Sequence, residues 1–272
     1  MPLPLTPELA QLTLPEERKL IEDLETAIEV PRLKAAPAYR IDLPYHNDYH
    51  IYREVLPAGL RLDGRDGKNS TPRSRPILIA GLITHDMWSH VPLDPAEGFR
   101  TKEQRTAALA RPILLNLFSE ADTNEVEGTI IATTPGVRCE TPNQRKIRRA
   151  DISNVGIRNS STFLATTVRI FHEEVVLCLE AGEDPPLWTP FLDRQHAVLG
   201  KLLEQDLSVG TEPLRNGKGP FNLAAESNVS LLGTKCSVRN PKSFVSRYGQ
   251  YMKPLVPAFQ DIVPYIKAEA AA

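Results

Sequence analysis

Residues 15–30 read PEERKLIEDLETAIEV, with Leu20, Ile21, Leu24, Ala27 and Ile28 recurring at helical i, i+3, i+4, i+7 spacing. Working outward, the same period returns. Thr101 and Gln104 have capping-box spacing ahead of Ala107, Ala108, Ile113, Leu114 and Leu117, and Asp122 and Glu125 offer a similar start before Val126, Ile130 and Ile131. Long amphipathic stretches follow over 160–181 and 189–207, and shorter ones over 241–252 and 256–268. No stretch alternates apolar and polar residues between turn signals, so the expectation is an all-α bundle without a sheet. Residues 59–75, GLRLDGRDGKNSTPRSR, read as a polar surface loop, and 208–240 as a long arm poor in helical periodicity. One helical domain over 1–272 is expected, with a core over about 44–206 and a flanking C-terminal arm over 207–272.

Composition narrows the class. Hydrophobic residues are 41% and charged residues 24% of the 272, ordinary globular usage. Against 34 acidic side chains stand 32 basic ones, so net charge gives no reason to expect a nucleic-acid polymer as partner. The 24 prolines fall mostly between helix-like stretches, where they stop helices without interrupting them. Cys139, Cys178 and Cys236 are far apart and odd in number, which fits reduced thiols and a cytoplasmic setting better than a disulfide framework. The first twenty residues lack a basic leader and an unbroken apolar core, and 76–84 is too short to span a bilayer. A soluble protein is expected.

Four segments carry chemistry: YHNDYHIYREV (45–55), THDMWSH (84–90), TKEQR (101–105) and RRADISNVG (148–156). His46 and His50 are four apart and on a helix would share a face. His85 and Asp86 are adjacent, delivered by the apolar stretch 76–84 to its C-terminal end. Asp151 lies beside Ile152, Val155 and Ile157, near a buried face. Imidazoles with carboxylates form a mixed N/O donor set suited to Mn, Fe, Mg, Co or Zn. Each residue also has an ordinary alternative: a buried core histidine, a helix-end carboxylate, a salt bridge from Asp151 to Arg148 or Arg149.

The order His, His-Asp, Asp resembles the HD superfamily of metal-dependent phosphohydrolases. The YHNxxH segment in particular is similar to cyclic-nucleotide phosphodiesterases and small bacterial HD proteins. The likeness covers roughly 45–156. It implies a helical HD-type bundle, a divalent metal held by His50, His85, Asp86 and Asp151, and His46 as general acid. It further implies hydrolysis of a nucleotide or another small phosphorylated metabolite. His90, one residue further from the HD pair than in phosphodiesterases, and Glu103 are candidates to support the site. Arg145 and Arg149, in a basic run with Lys146 and Arg148, are candidates for a substrate phosphate. Trp88, right after the HD pair, is placed either to wall a pocket or to pack in the core. A non-catalytic HD domain and an HD-type diiron oxygenase are the rival readings. The oxygenase needs further histidines between the HD pair and the last aspartate, where this chain has His90 alone.

Overall fold

In a computed structural model the described residues are 6–32, 40, 42–66, 71–204, 207 and 219–268. Among them there is no strand. The α-helices are α1 (Pro7–Leu12), α2 (Pro15–Arg32), α3 (Leu56–Asp66), α4 (Ser74–Thr84), α5 (Lys102–Leu114), α6 (Glu120–Ile131), α7 (Pro142–Asp151), α8 (Ser160–Ala181), α9 (Trp188–Leu202), α10 (Pro220–Thr234), α11 (Cys236–Arg239), α12 (Pro241–Met252) and α13 (Phe259–Ala268). A π-helical segment, His50–Val55, runs directly into α3. No helix among the described residues is long and apolar enough to cross a membrane. The all-α expectation holds.

The chain divides into two compact units, so the stretch expected to form one core, 44–206, is shared between them. The first comprises residues 1–42, 46–153 and 207–213, the second 43–45, 154–206 and 214–272. In the first unit α4 is the central helix. Every residue from Ile77 to Thr84 is buried, the pattern of a helix apolar on all sides. It packs against α2, α3, α5, α6 and α7. Two glycines allow the tightest crossings. A Cβ on Gly59 would meet Leu82 at 2.4 Å, and one on Gly81 would meet both Thr129 Oγ1 and Ile147 Cδ1 at 2.4 Å.

Local sequence sets the helix ends that matter. Thr141 and Gln144 form a complete capping box at the start of α7: the Gln144 amide donates to Thr141 Oγ1 (3.2 Å) and the Thr141 amide to Gln144 Oε1 (3.1 Å). Pro142 fits the first helical position, where no amide donor is needed. Thr101 caps α5 as its spacing predicts, accepting from the Gln104 amide. For α6 the cap is Ser119 instead of Asp122, which occupies the third helical position.

The second unit centres on Phe171, Trp188, Phe191 and Phe244, with ring centroids 4.9–5.8 Å apart. Trp188 Nε1 donates to the Val238 carbonyl at 3.0 Å, giving the buried indole its partner. Two sequence expectations are corrected. The supposed loop over 59–75 is helical through Asp66, and helix resumes at Ser74; residues 67–70 lie outside the described ones. The supposed arm over 208–240 holds α10 and α11 from Pro220 onward, while 208–218 lie outside the described residues.

Candidate metal centre

Three stretches of the first unit deliver four side chains to one point. His50 opens the π segment, its amide donating to Asn47 Oδ1 at 3.0 Å. Such i→i+5 turns are rare and recur at functional sites. His85 is the C-cap of α4, Asp86 follows it, and Asp151 is the last residue of α7. Gly81, one turn before His85, lets α7 lie close enough for Asp151 to arrive. One donor atom from each of His50, His85, Asp86 and Asp151 lies within 4.8 Å of all the others.

The rings are oriented by their far nitrogens. His50 Nδ1 lies 2.9 Å from Glu54 Oε2. His85 Nδ1 lies 3.1 Å from the Leu82 carbonyl, which can only accept, so that nitrogen carries the proton. Both Nε2 atoms therefore face the carboxylates. His50 Nε2 is 3.6 Å from Asp86 Oδ2 and 3.6 Å from Asp151 Oδ1; His85 Nε2 is 3.2 Å and 3.6 Å from the same atoms. The 3.2 Å approach is misaligned, leaving His85 Nε2 and Asp86 Oδ2 buried with no hydrogen-bond partner among the described residues. Orphaned buried polar atoms on facing groups are costly unless something sits between them.

A cation fits that place. Tetrahedral donors about 2.1 Å from an ion are roughly 3.4 Å from one another; the four nitrogen–oxygen separations, 3.2–3.6 Å, bracket that edge, and every pair of donors lies within 4.8 Å. The imidazoles are fully buried, while the Asp86 and Asp151 side chains are 17% and 21% exposed, so the group opens to solvent on its carboxylate side. Both carboxylates sit at helix C-termini, where the dipole disfavours negative charge and favours a cation. The group can hold a metal ion, and among the described residues no other such group occurs.

Electrostatics agree. Burial alone lowers the pKa of both imidazoles, but Asp151, Glu54 and Asp86 raise that of His50, and Asp86 with Asp151 lifts that of His85 well above the usual histidine value. Conversely, burial disfavours the Asp86 carboxylate, yet His85, His46 and His50 hold its pKa below the ordinary carboxylate range. Asp151 is lowered likewise: burial disfavours its carboxylate, and the facing His50 and His85 rings outweigh that cost. The field that keeps protons on these rings is the field a divalent ion would replace.

The remaining predicted residues are distributed more widely. His46 does not share a helix with His50: it lies on a bend before the π segment, half-buried, its ring edge-on to His50 at 6.0 Å. His90, half-buried, acts electrostatically on Asp42, and Glu103 sits in the first turn of α5; neither joins the donor group. Arg145 is half-buried on α7, and Arg149 donates to the Leu207 carbonyl at 3.1 Å. The basic run is not a solvated face. Lys146 pairs with buried Asp63 at 2.8 Å, and Arg148 caps the carbonyls of Ala132, Thr134 and Val137. Trp88 is 7% exposed in the left-handed region at φ 57°, a conformation that costs a bulky residue roughly 1–2 kcal/mol.

Glu54 is the residue sequence reasoning missed, though its spacing of four from His50 was there to find. A depression of about 610 Å³ in the second unit, lined by Thr189, Thr234, Cys236, Arg239 and Asn240 among others, carries no comparable group. Its Arg239 is committed to Asp193 and the Leu232 carbonyl. No family model matches the chain, and neither a curated protein nor a solved structure does.

Proposed function

We propose that this chain is a metal-dependent phosphohydrolase of the HD type, acting on a nucleotide or another small phosphorylated metabolite. The observation that carries the reading is the convergence of His50, His85, Asp86 and Asp151, with ring nitrogens turned inward and the carboxylates on the open side. When bound there, a divalent ion such as Mn, Mg, Fe, Co or Zn lowers the pKa of a coordinated water and polarises a phosphoryl oxygen. The chain's own residues do the rest. Glu54 and the Leu82 carbonyl hold the His50 and His85 rings in the tautomer that presents Nε2. His46 stands beside the group on the chain segment leading into His50, near enough to bias Asp86. Its imidazole protonates the departing ester oxygen as the P–O bond breaks.

The test is a phosphoester panel run with each metal separately, on the parent and two variants. Asp86→Ala should lose bound metal and phosphate release together. His46→Ala should keep its metal while turnover falls by roughly 10²–10⁴, the range for a general acid. A metal-loaded parent that releases no phosphate from any ester would overturn the hydrolase reading. Equal metal loss in His46→Ala would remove His46 from its role. Two tightly held irons with oxygen consumed in proportion to product would establish the oxygenase chemistry instead.

A further inference from the structure

The segment TKEQR over 101–105 drew attention for its glutamate, but the neighbours of Glu103 make the unusual contacts. Three side chains from the first half of α5 reach across to the turn that follows the His85–Asp86 pair. Thr106 Oγ1 donates to the Met87 carbonyl (2.8 Å) and Lys102 Nζ to that of Ser89 (2.7 Å). The Arg105 guanidinium donates to the carbonyls of Trp88 (2.9 Å), Val91 (2.6 Å) and Pro92 (2.7 Å). Five of the six carbonyls between Met87 and Pro92 are thus taken up by one helix. Arg105 itself is 2% exposed. The turn they grip begins at a metal-facing residue, since the Ser89 amide donates to the Asp86 carbonyl at 3.1 Å. It passes through Trp88 at φ 57°, a backbone state that persists in a bulky residue only when the surroundings over-determine it.

We infer that Arg105 is a positioning residue: by holding the strained turn 87–92 it fixes the direction in which Asp86 presents its carboxylate to a cation. Asp86 lies just past the end of α4, where helical hydrogen bonding no longer dictates the backbone. Its conformation is then set by the turn it starts. A guanidinium can satisfy three carbonyls in a fixed plane, whereas an ammonium is a point donor on a flexible stem. Lysine is therefore not a conservative replacement here. The inference rests on the reading of the four residues as a metal group, and its test separates the two.

The full chain is titrated with Co²⁺ alone, followed by visible absorption, with thermal melts and amide exchange alongside. Arg105→Lys should bind Co²⁺ at least tenfold more weakly, and exchange at residues 87–92 should quicken. Thr106→Val keeps the shape and deletes one hydroxyl; it should lose about threefold with an unchanged helical spectrum. Arg75→Lys removes a planar fork from a different carboxylate pair, Glu17 and Asp63, and serves as the stability control. It should melt lower yet bind Co²⁺ as tightly as the parent. Parent-like Co²⁺ affinity in both Arg105→Lys and Thr106→Val would overturn the inference, and Thr106→Val decides alone if Arg105→Lys does not fold. A parent that binds no Co²⁺ would overturn the metal reading, and this inference with it.

Discussion

Gly81→Ala adds one carbon where α4, α6 and α7 meet. The new Cβ would lie 2.4 Å from Thr129 Oγ1 and 2.4 Å from Ile147 Cδ1, about 1 Å inside an ordinary contact. Both neighbours are fully buried. The Ile147 methyl is the end of a flexible chain and can swing. Thr129 cannot do so freely, because its hydroxyl donates to the Val126 carbonyl at 2.6 Å. Overpacking of this kind costs roughly 1–3 kcal/mol, with about 1 kcal/mol more for a broken hydrogen bond. Alanine returns about 1 kcal/mol through helix propensity. The net is a destabilisation of about 2 kcal/mol, or roughly 4–8 °C in Tm. Gly64→Ala supplies the control: it is exposed on α3 with nothing within 4 Å of the added carbon, and should gain about 0.5–1 kcal/mol. Relief of the clash with Thr129 pushes α4, whose end carries His85 and Asp86, away from α6, and metal sites tolerate ligand shifts of only about 0.2 Å. Co²⁺ affinity should therefore fall at least tenfold in Gly81→Ala and stay unchanged in Gly64→Ala. A Gly81→Ala chain that melts at or above the parent and keeps its affinity would refute the argument that this glycine sets the spacing of the site.

Two further outcomes follow from buried charge. Asp63, fully buried between Lys146 and Arg75 at 2.8 Å each, should not tolerate neutralisation: Asp63→Asn should lose about 3–5 kcal/mol in denaturant melts, and a loss under about 1 kcal/mol would show the pairing to be dispensable. Glu25 is pushed up to about 7 by burial, helped by Asp48, Glu22 and Glu29 and opposed by a hydrogen bond with Tyr52. The folded chain then binds the extra proton between the ordinary carboxylate pKa and about 7, so this contribution is full in acid and disappears as pH rises to about 7, by at most about 2–3 kcal/mol at a half-buried site. Glu25→Gln should flatten the stability–pH curve over that window; a curve parallel to the parent's would assign the slope elsewhere.

The helices with clean apolar stripes were legible, and α8 and α12 are found at 160–181 and 241–252 as their periodicity predicts. Helix α10 was not, because its buried face reads Phe221, Asn222, Ala225, Asn228, Val229, Leu232. The asparagines interrupt the apolar pattern and have poor helix propensity, yet Asn228 is there to donate to the carbonyls of Val155 and Ile157. Gly59 and Gly64 made α3 look like a loop; no pattern in one sequence tells a turn glycine from one that admits Leu82. The four donor residues of the candidate site could be picked out because their order, His, His-Asp, Asp, resembles the HD pattern; taken singly, each reads as well as a core histidine, a helix-end carboxylate or a salt-bridge partner. What holds them could not. Arg105 and Lys146 look like any surface cation until the backbone carbonyls and the buried Asp63 that they meet are placed in space. Charge in a sequence has a sign but no direction.

The π segment 50–55 has one residue more in each hydrogen-bonded ring than the α-helix it joins. Its length is therefore tolerant of change in a way that a regular helix is not. Substitutions at Ile51, Tyr52 or Arg53 alter packing or charge but leave His50 in phase with the helix that follows. Loss of a single codon there would let the backbone close into unbroken α-helix, and because the wider π turn advances less per residue, His50 would keep nearly the same phase against α3. The helix would survive such a deletion, and so would most of the apolar core. The imidazole would keep its direction, making this stretch a place where a reading-frame-neutral deletion is less damaging than the same loss inside the regular helices α4 or α7.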